Sequence, residues 1–337
     1  MNAARFGRLD DVKRLLERGA DIDVSNNNDT ALHYAVERGH VAVAALLLDN
    51  DACIESRGKH GDTALCRAAQ WGQLRCVAML LDYGAEINAV LDYGAEINAV
   101  MRREREATAL IIAAQNGHIA VVELLIDRGA DVNAADERGL TALICAVQYD
   151  HADVVECLVK RGANIDSAHE SGQTPLMMAA KKNRIDVARF LLDNGAEINA
   201  KSNFGYTALH VASEHNKIDI AKLLLERGAN VRAVNNVDET AFHVAARSDH
   251  ADIAALLMTH GAQVDAVYKD GMTPLQLASL ESYTRVATVL LKNGANVNAN
   301  GSDGITALKR AIARDDERWM LTLFAWGANL NMRDSQG

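Results

Sequence analysis

Histidine and cysteine are the side chains in this sequence best suited to bind a metal or attack an electrophile, and neither is arranged to do so. His40, His118, His151 and His250 recur at one position of an internal repeat. A catalytic histidine would be singular, so the recurrence marks these four as structural. Cys53, Cys66, Cys76, Cys145 and Cys157 include no CxxC pair, and most occupy apolar helix positions as small hydrophobic side chains. No GxSxG elbow, Walker A loop, GxGxxG turn or HExxH pair occurs. Asp and Glu are spread over helix surfaces and turn starts, where solvation accounts for them. The reading is of a protein with no catalytic residue, no metal site and no cofactor.

The elements that carry these residues follow a period of about 33 residues. A threonine marks each return: Thr30, Thr63, Thr108, Thr141, Thr174, Thr207, Thr240, Thr273 and Thr306, with one interval lengthened. In the segment Thr207 to Ala229, the Thr207 hydroxyl can accept an otherwise unpaired amide, so a helix is expected from Ala208. Leu209, Val211 and Ala212 give that helix an apolar side, and Asn216 ends it. A second helix over Ile218 to Arg227 carries a wide apolar face and stops at Gly228. Such a short pair cannot bury this much apolar surface alone, so the copies must stack. The only prolines, Pro175 and Pro274, directly follow a capping threonine, where a missing amide costs nothing.

The chain has 337 residues, 4% aromatic content and a formal charge of -10. No linker-like shift in composition interrupts the repeat, so one solenoid is expected rather than several globular domains. The acidic balance argues against nucleic acid as a partner. No signal-peptide core and no membrane segment is present. Unpaired cysteines point to a reducing setting, cytoplasmic or nuclear. Without a secretory route the sequons at Asn28 and Asn300 carry little meaning.

TALHYAVERGH from Thr30, TPLMMAA from Thr174 and LLDNGAEINA from Leu191 resemble the ankyrin repeat, in register with stop glycines at Gly84, Gly129, Gly162, Gly195, Gly228, Gly261, Gly294 and Gly327. The resemblance implies an all-α ankyrin-repeat solenoid of stacked helix-turn-helix units with projecting β-hairpin fingers. It divides the chain into a partial copy at 1–23 and copies at 27–56, 60–89, 105–134, 138–167, 171–200, 204–233, 237–266, 270–299 and 303–332, with a duplicated insertion at 90–104. It also implies that the recurrent histidines close the turn between the two helices of a unit.

Several copies depart from the pattern. Asp51 stands where a stop glycine is expected, and Asn28, Glu106 and Asp238 replace the finger glycine. The family histidine after the capping triplet survives as His33, His210 and His243; Cys66, Ile111, Ile144, Met177, Gln276 and Lys309 stand there elsewhere, so its hydrogen bond is expected to be missing from those copies. LDYGAEINAV occurs at Leu81 and again, unchanged, at Leu91, which predicts a bulge between the third and fourth units that includes Met101, Arg102, Arg103, Glu104 and Arg105. The chain opens inside a unit and closes in a finger, which reads as a segment of a longer array. Trp319 occupies a position filled by Val or Ile in most copies, and Trp326 a normally polar one.

In proteins resembling this one, partners are held by finger tips and the exposed ends of first helices, along a concave face. Mapped here, those positions place Trp71, Tyr149, Lys181, Lys182, Phe204, Tyr206, His215 and Arg138 as the partner-binding residues. Lys59, His60, Lys269 and Asp270 are further tip positions. The lysine pair offers charge to an acidic segment. The leading reading is a monomeric, non-catalytic protein-protein interaction scaffold for a protein or peptide partner. The alternative is a regulatory or targeting array cut from a larger enzyme, receptor or channel. Nucleic-acid binding through Arg102, Arg103 and Arg105 would be steeply salt-dependent.

Overall fold

The computed structural model describes residues 1–90, 107–268, 271–301 and 304–331. Expectations that fall on Met101 to Glu106, Lys269, Asp270 and the second LDYGAEINAV decapeptide lie outside the described residues. The chain forms two compact units, Met1–Glu170 and Ser171–Gly337. In the first, the helix pairs are α1 (Asn2–Arg5) with α2 (Leu9–Glu17), α3 (Ala31–Glu37) with α4 (Val41–Asp49), α5 (Ala64–Gln70) with α6 (Leu74–Asp82), α7 (Ala109–Gln115) with α8 (Ile119–Asp127), and α9 (Ala142–Tyr149) with α10 (Ala152–Lys160). In the second they are α11 (Pro175–Lys182) with α12 (Ile185–Asp193), α13 (Ala208–Glu214) with α14 (Ile218–Glu226), α15 (Ala241–Arg247) with α16 (Ala251–Thr259), α17 (Pro274–Leu280) with α18 (Thr284–Lys292), and α19 (Ala307–Ala313) with α20 (Glu317–Ala325).

Within each unit every first helix packs on the next first helix, and second helices stack in a parallel row. Alanines permit the close approach in the first row: Ala35, Ala68, Ala113 and Ala146 in one unit, and Ala179, Ala212, Ala245 and Ala278 in the other, are completely buried. Leucines such as Leu80, Leu125, Leu224 and Leu257 fill the second row, each contributing about 1.5–3 kcal/mol on burial. Trp319, fully buried on α20, is a core residue like the Val and Ile it replaces, whereas Phe324 and Trp326 remain exposed.

Helix starts follow the threonines. Thr63, Thr108, Thr141, Thr174, Thr273 and Thr306 each accept the amide of the third helical residue at 3.3–3.4 Å. Pro175 and Pro274 open α11 and α17 where no amide is needed. Asp51 takes the left-handed backbone, φ 67°, that glycine adopts at Gly84 and Gly129, and so ends α4 in the same way. Asn28 (φ 68°) and Asp238 (φ 63°) likewise keep the left-handed turn of their fingers. The β-hairpins are reduced to single antiparallel bridges among the described residues: Asn26 with Asp29, Val90 with Thr108, Ala135 with Thr141 and Val234 with Thr240. The bridge from Val90 to Thr108 closes the base of the inserted segment, and α5 packs on α7, and α6 on α8, without a break.

Polar groups tie each repeat to the one before it. Asn88, Asn133, Asn199, Asp265 and Asn298 accept the amides of Asp131, Asn164, Asn230, Asn296 and Asn329, one repeat on, at 2.7–3.1 Å. Arg128, Arg161 and Arg227 reach back to Asp82, Asp127 and Asp193 at 2.6–2.8 Å. The recurrent histidines close the turn within their own unit through the main chain, the amides of His40, His118, His151 and His250 donating to Ala35, Ala113, Ala146 and Ala245 at 2.9–3.0 Å, and their rings act between repeats as well. His40, His118 and His151 contact the carbonyls of Arg5, Gln70 and Gln115 through Nε2. Each of the three rings lies against a glycine, Gly7, Gly72 or Gly117, whose missing Cβ leaves the room. Where Asn216 takes the glycine's place, His250 contacts the Ser213 carbonyl through Nδ1 instead, at 2.7 Å.

A correction concerns the capping position, where the bond was expected only with histidine. The Thr30, Thr207 and Thr240 amides donate to Nδ1 of His33, His210 and His243 at 3.2 Å, so Nε2 carries the proton and donates to the carbonyls of Asp62, Glu239 and Ala266. Gln276 reproduces this: its Oε1 accepts the Thr273 amide at 2.8 Å and its Nε2 donates to Ala299 and Ile305 at 3.0 Å. Burial pushes all three histidines down, His210 to about 4. The unfolded chain then binds more protons than the folded one below the ordinary histidine value, so stability is full above pH 6.5 and is lost as pH falls toward 4. For His210 alone the loss is on the order of 3 kcal/mol. The substitution His210→Gln, copying Gln276, should leave the neutral-pH melting temperature nearly unmoved and reduce its fall on acidification, as read by circular dichroism melts from pH 7 to pH 4.

Candidate functional site

Register decides what the finger-and-first-helix face looks like at each step. Four residues after the capping threonine stands Arg67 in the first unit and Val211 in the second. Arg67, with its side chain 6% exposed, runs under two consecutive fingers and bonds Asp62 through Nε and Nη2, Asp29 at 2.9 Å and Glu37 at 3.1 Å. Asp29 also accepts the Lys59 amide at 2.9 Å. Gly58 closes the cluster: a Cβ there would come within 3.0 Å of Asp29, Asp62 and Arg67. Burial alone would raise the Asp29 carboxyl, but the Lys59 amide and the Arg67 guanidinium hold it below the ordinary carboxylate value. The space between these fingers is filled by a salt-bridged plug.

In the second unit the same register holds Gln173, Lys181, Tyr206 and Val211, and the space is open. A cleft of about 390 Å³ lies between the fingers at 202–206 and 235–239, floored by buried Val211 and walled by Lys181 of α11 and by Glu214 and His215 at the end of α13. Phe204, 68% exposed, and Val237, 48% exposed, form its rim. Its polar wall is built from Glu239, which accepts from Asn235 Nδ2 at 3.0 Å and from Arg247 Nε at 3.1 Å. Arg247 Nη2 donates to the Tyr206 hydroxyl at 3.0 Å. Tyr206 is therefore half-buried and engaged, its ring 5.4 Å from that of His210. Burial raises its phenol above the ordinary value, against the pull of Arg247.

The eight residues singled out from sequence do not form one described site. Lys181, Phe204, Tyr206 and His215 line the cleft of the second unit, and Lys182 stands exposed at the same end of α11. Trp71 (53% exposed), Tyr149 (48% exposed) and Arg138 belong to the first unit. Arg138 is half-buried, its carbonyl accepting the Glu170 amide. Glu239, Asn235 and Val237 were not singled out as binding residues, and Arg247 was read only as one of the exposed helix-end positions. The signal for Glu239 was faint: an acid directly before a capping threonine, beside Asp238 in place of glycine. Among the described residues, no helix is long and apolar enough to cross a membrane, and no group of three or more His, Cys, Asp or Glu could hold a metal ion.

Known proteins share this fold. A family model described as ankyrin repeats (3 copies) matches residues 1–90, 89–169, 110–202, 162–235, 193–270 and 228–301. Delta-latroinsectotoxin-Lt1a of Latrodectus tredecimguttatus is 36% identical over 92 residues, covering 26% of this chain and 8% of the toxin. The probable E3 ubiquitin-protein ligase XBOS32 of Oryza sativa subsp. japonica is 34% identical over 91 residues, 26% of this chain and 18% of the ligase. The 26S proteasome non-ATPase regulatory subunit 10 of Dictyostelium discoideum is 34% identical over 85 residues, 24% of this chain and 37% of that protein. The alignments thus span a minor part of each relative. The crystal structure of the human ASB11 ankyrin repeat domain superposes with a TM-score of 0.59 at 29% identity, over 68% of this chain and 97% of that one.

The Arg67 plug makes a sharp prediction. Arg67→Met leaves three carboxylates without their cation and should cost about 3 kcal/mol at pH 7. Relative to the parent, the deficit should shrink toward pH 4 as the stranded carboxylates take up protons in the folded state; urea titrations of both proteins at the two pH values measure it.

Proposed function

The chain belongs to the ankyrin-repeat family, and on that premise we propose that it is a non-catalytic protein-protein interaction scaffold that binds a protein or peptide partner on the face formed by finger tips and first helices. The fold is generally a non-enzymatic interaction module. The observation that carries the reading for this chain is the open cleft of the second unit, rimmed by Phe204 and Val237, two exposed apolar side chains for which the packing of the repeats has no use. Lys181, Lys182, Tyr206 and His215 complete that surface. Trp71, Tyr149 and Arg138 offer a second contact region in the first unit. The scaffold acts as a monomer in a reducing compartment, cytoplasmic or nuclear, and its charge of -10 disfavours nucleic acid.

A second reading, a regulatory or targeting array within a larger enzyme, receptor or channel, is favoured by one observation. The matched stretches make up only 8% and 18% of the toxin and the ligase. Both readings place partner capture on the same face.

Affinity capture from native extract with the parent, Trp71→Ala/Tyr149→Ala and Phe204→Ala tests this. The substituted positions are exposed, so the melting transitions should shift by no more than about 0.5 kcal/mol. Loss of capture with Phe204→Ala assigns contact to the second unit, and loss with the double variant assigns it to the first. Capture unchanged in both refutes the proposed surface.

A further inference from the structure

The cleft of the second unit can be read further, as to what enters it. Its own hydrogen-bonding groups are largely committed. Glu239 is satisfied by Asn235 and Arg247, and Arg247 in turn by Tyr206. The main-chain groups of the finger tips are used between fingers: the Asn203 amide donates to the Ser171 carbonyl at 3.0 Å, and the Asn236 amide to the Phe204 carbonyl at 3.1 Å. Asn236 Nδ2 donates to the Asn203 carbonyl at 2.8 Å. An incoming strand would find these groups engaged, so recognition falls to side chains rather than to β-pairing.

Two resources remain. One is apolar: Phe204 and Val237 stand above buried Val211, and a space of about 390 Å³ holds one bulky side chain with its adjoining backbone, at the small end of ligand sites. The other is charge. His215 lies 3.7 Å from Glu214, which offsets that acid when protonated, whereas among the described residues Lys181 and Lys182 take part in no ion pair. Comparison with the first unit sharpens the point. Where Glu37 faces the guanidinium of Arg67, the same register in the second unit presents Lys181 to the gap above Val211. The sign of the wall is reversed and the plug is missing.

Resting on the cleft as the binding surface, we infer that it takes a short acidic peptide segment with one bulky apolar residue, which seats over Val211 between Phe204 and Val237 while a neighbouring carboxylate meets Lys181 and Lys182. The apolar anchor supplies affinity and the lysines select the flanking charge.

Three labelled synthetic peptides test it against the full chain by fluorescence anisotropy at low salt: a phenylalanine flanked by aspartates, the same peptide with asparagines, and the same with lysines. The aspartate peptide should bind roughly five- to tenfold more tightly than the asparagine one, as two exposed ion pairs allow, and the lysine peptide most weakly. Added salt should close the gap. Lys181→Gln/Lys182→Gln should erase the preference for the aspartate peptide over the asparagine one, and Phe204→Ala should weaken all three. Equal affinity for the aspartate and asparagine peptides, both sensitive to Phe204→Ala, overturns the acidic assignment and leaves the cleft reading in place. Tightest binding of the lysine peptide also overturns it. Absence of saturable binding, or binding indifferent to Phe204→Ala and Val237→Ala, overturns both the assignment and the cleft reading.

Discussion

Each repeat holds polar groups that it cannot satisfy alone, and in this fold their partners belong to the neighbouring repeat. The amide that opens the turn after most second helices donates to a side chain one repeat earlier, as Asn164 does to Asn133 and Asn230 to Asn199. The amide of a capping threonine is taken by a histidine whose other ring nitrogen is satisfied by the next finger, at Asp62 for His33 and at Glu239 for His210. A single repeat in isolation would strand the buried histidine Nε2–H as well as expose its leucines. An unsatisfied buried donor costs about 1–3 kcal/mol, comparable to the gain from one buried leucine, so the polar ladder and the apolar stack impose the same requirement. Stability is accordingly a property of neighbouring pairs.

That requirement fixes chemistry rather than residue type, which explains how the sequence departs from its own pattern without losing the fold. Gln276 offers an acceptor and two donors at the positions His210 uses, so the bond persists with the imidazole gone. Asn28, Asp51 and Asp238 enter the left-handed region that glycine favours, a conformation their short polar side chains tolerate better than most. His250 shows the limit of such tolerance: with Asn216 in place of the glycine, its ring reaches its carbonyl through Nδ1 rather than Nε2.

The period, the capping threonines and the stop residues were legible because each acts within a few residues of its own position. Helix α13 begins at Ala208 as its threonine requires, and α14 ends at Glu226 with the expected last residue, Arg227, as its C-cap. The cleft was legible only in part. Phe204 and Lys181 stand out by type and position, whereas Glu239 and Arg247 become meaningful only once two fingers are brought side by side: Arg247 reaches Tyr206 across 41 positions of sequence. Tyr206 reads from sequence as an exposed aromatic, and half of what it does is internal. The inserted decapeptide offered no equivalent handle, since an exact repeat of ten residues says that one copy is surplus and nothing of which.

Arg67 and Arg247 are two solutions to one problem. Successive fingers carry acids and hydroxyls toward a shared space, and a guanidinium rising from a first helix can hold two of them at a fixed separation. In the first unit the arginine stands four residues after its threonine and fills the space it organises, with Asp29, Glu37 and Asp62 gathered round it. In the second unit the arginine stands seven residues after its threonine, at the helix end, and holds Glu239 and Tyr206 from the side. The position below the fingers falls to Val211, too short to reach across. Finger spacing is therefore set in both places, but only the second arrangement leaves a walled opening with an apolar floor. A difference of three residues along a short helix separates a structural plug from a surface able to receive another molecule.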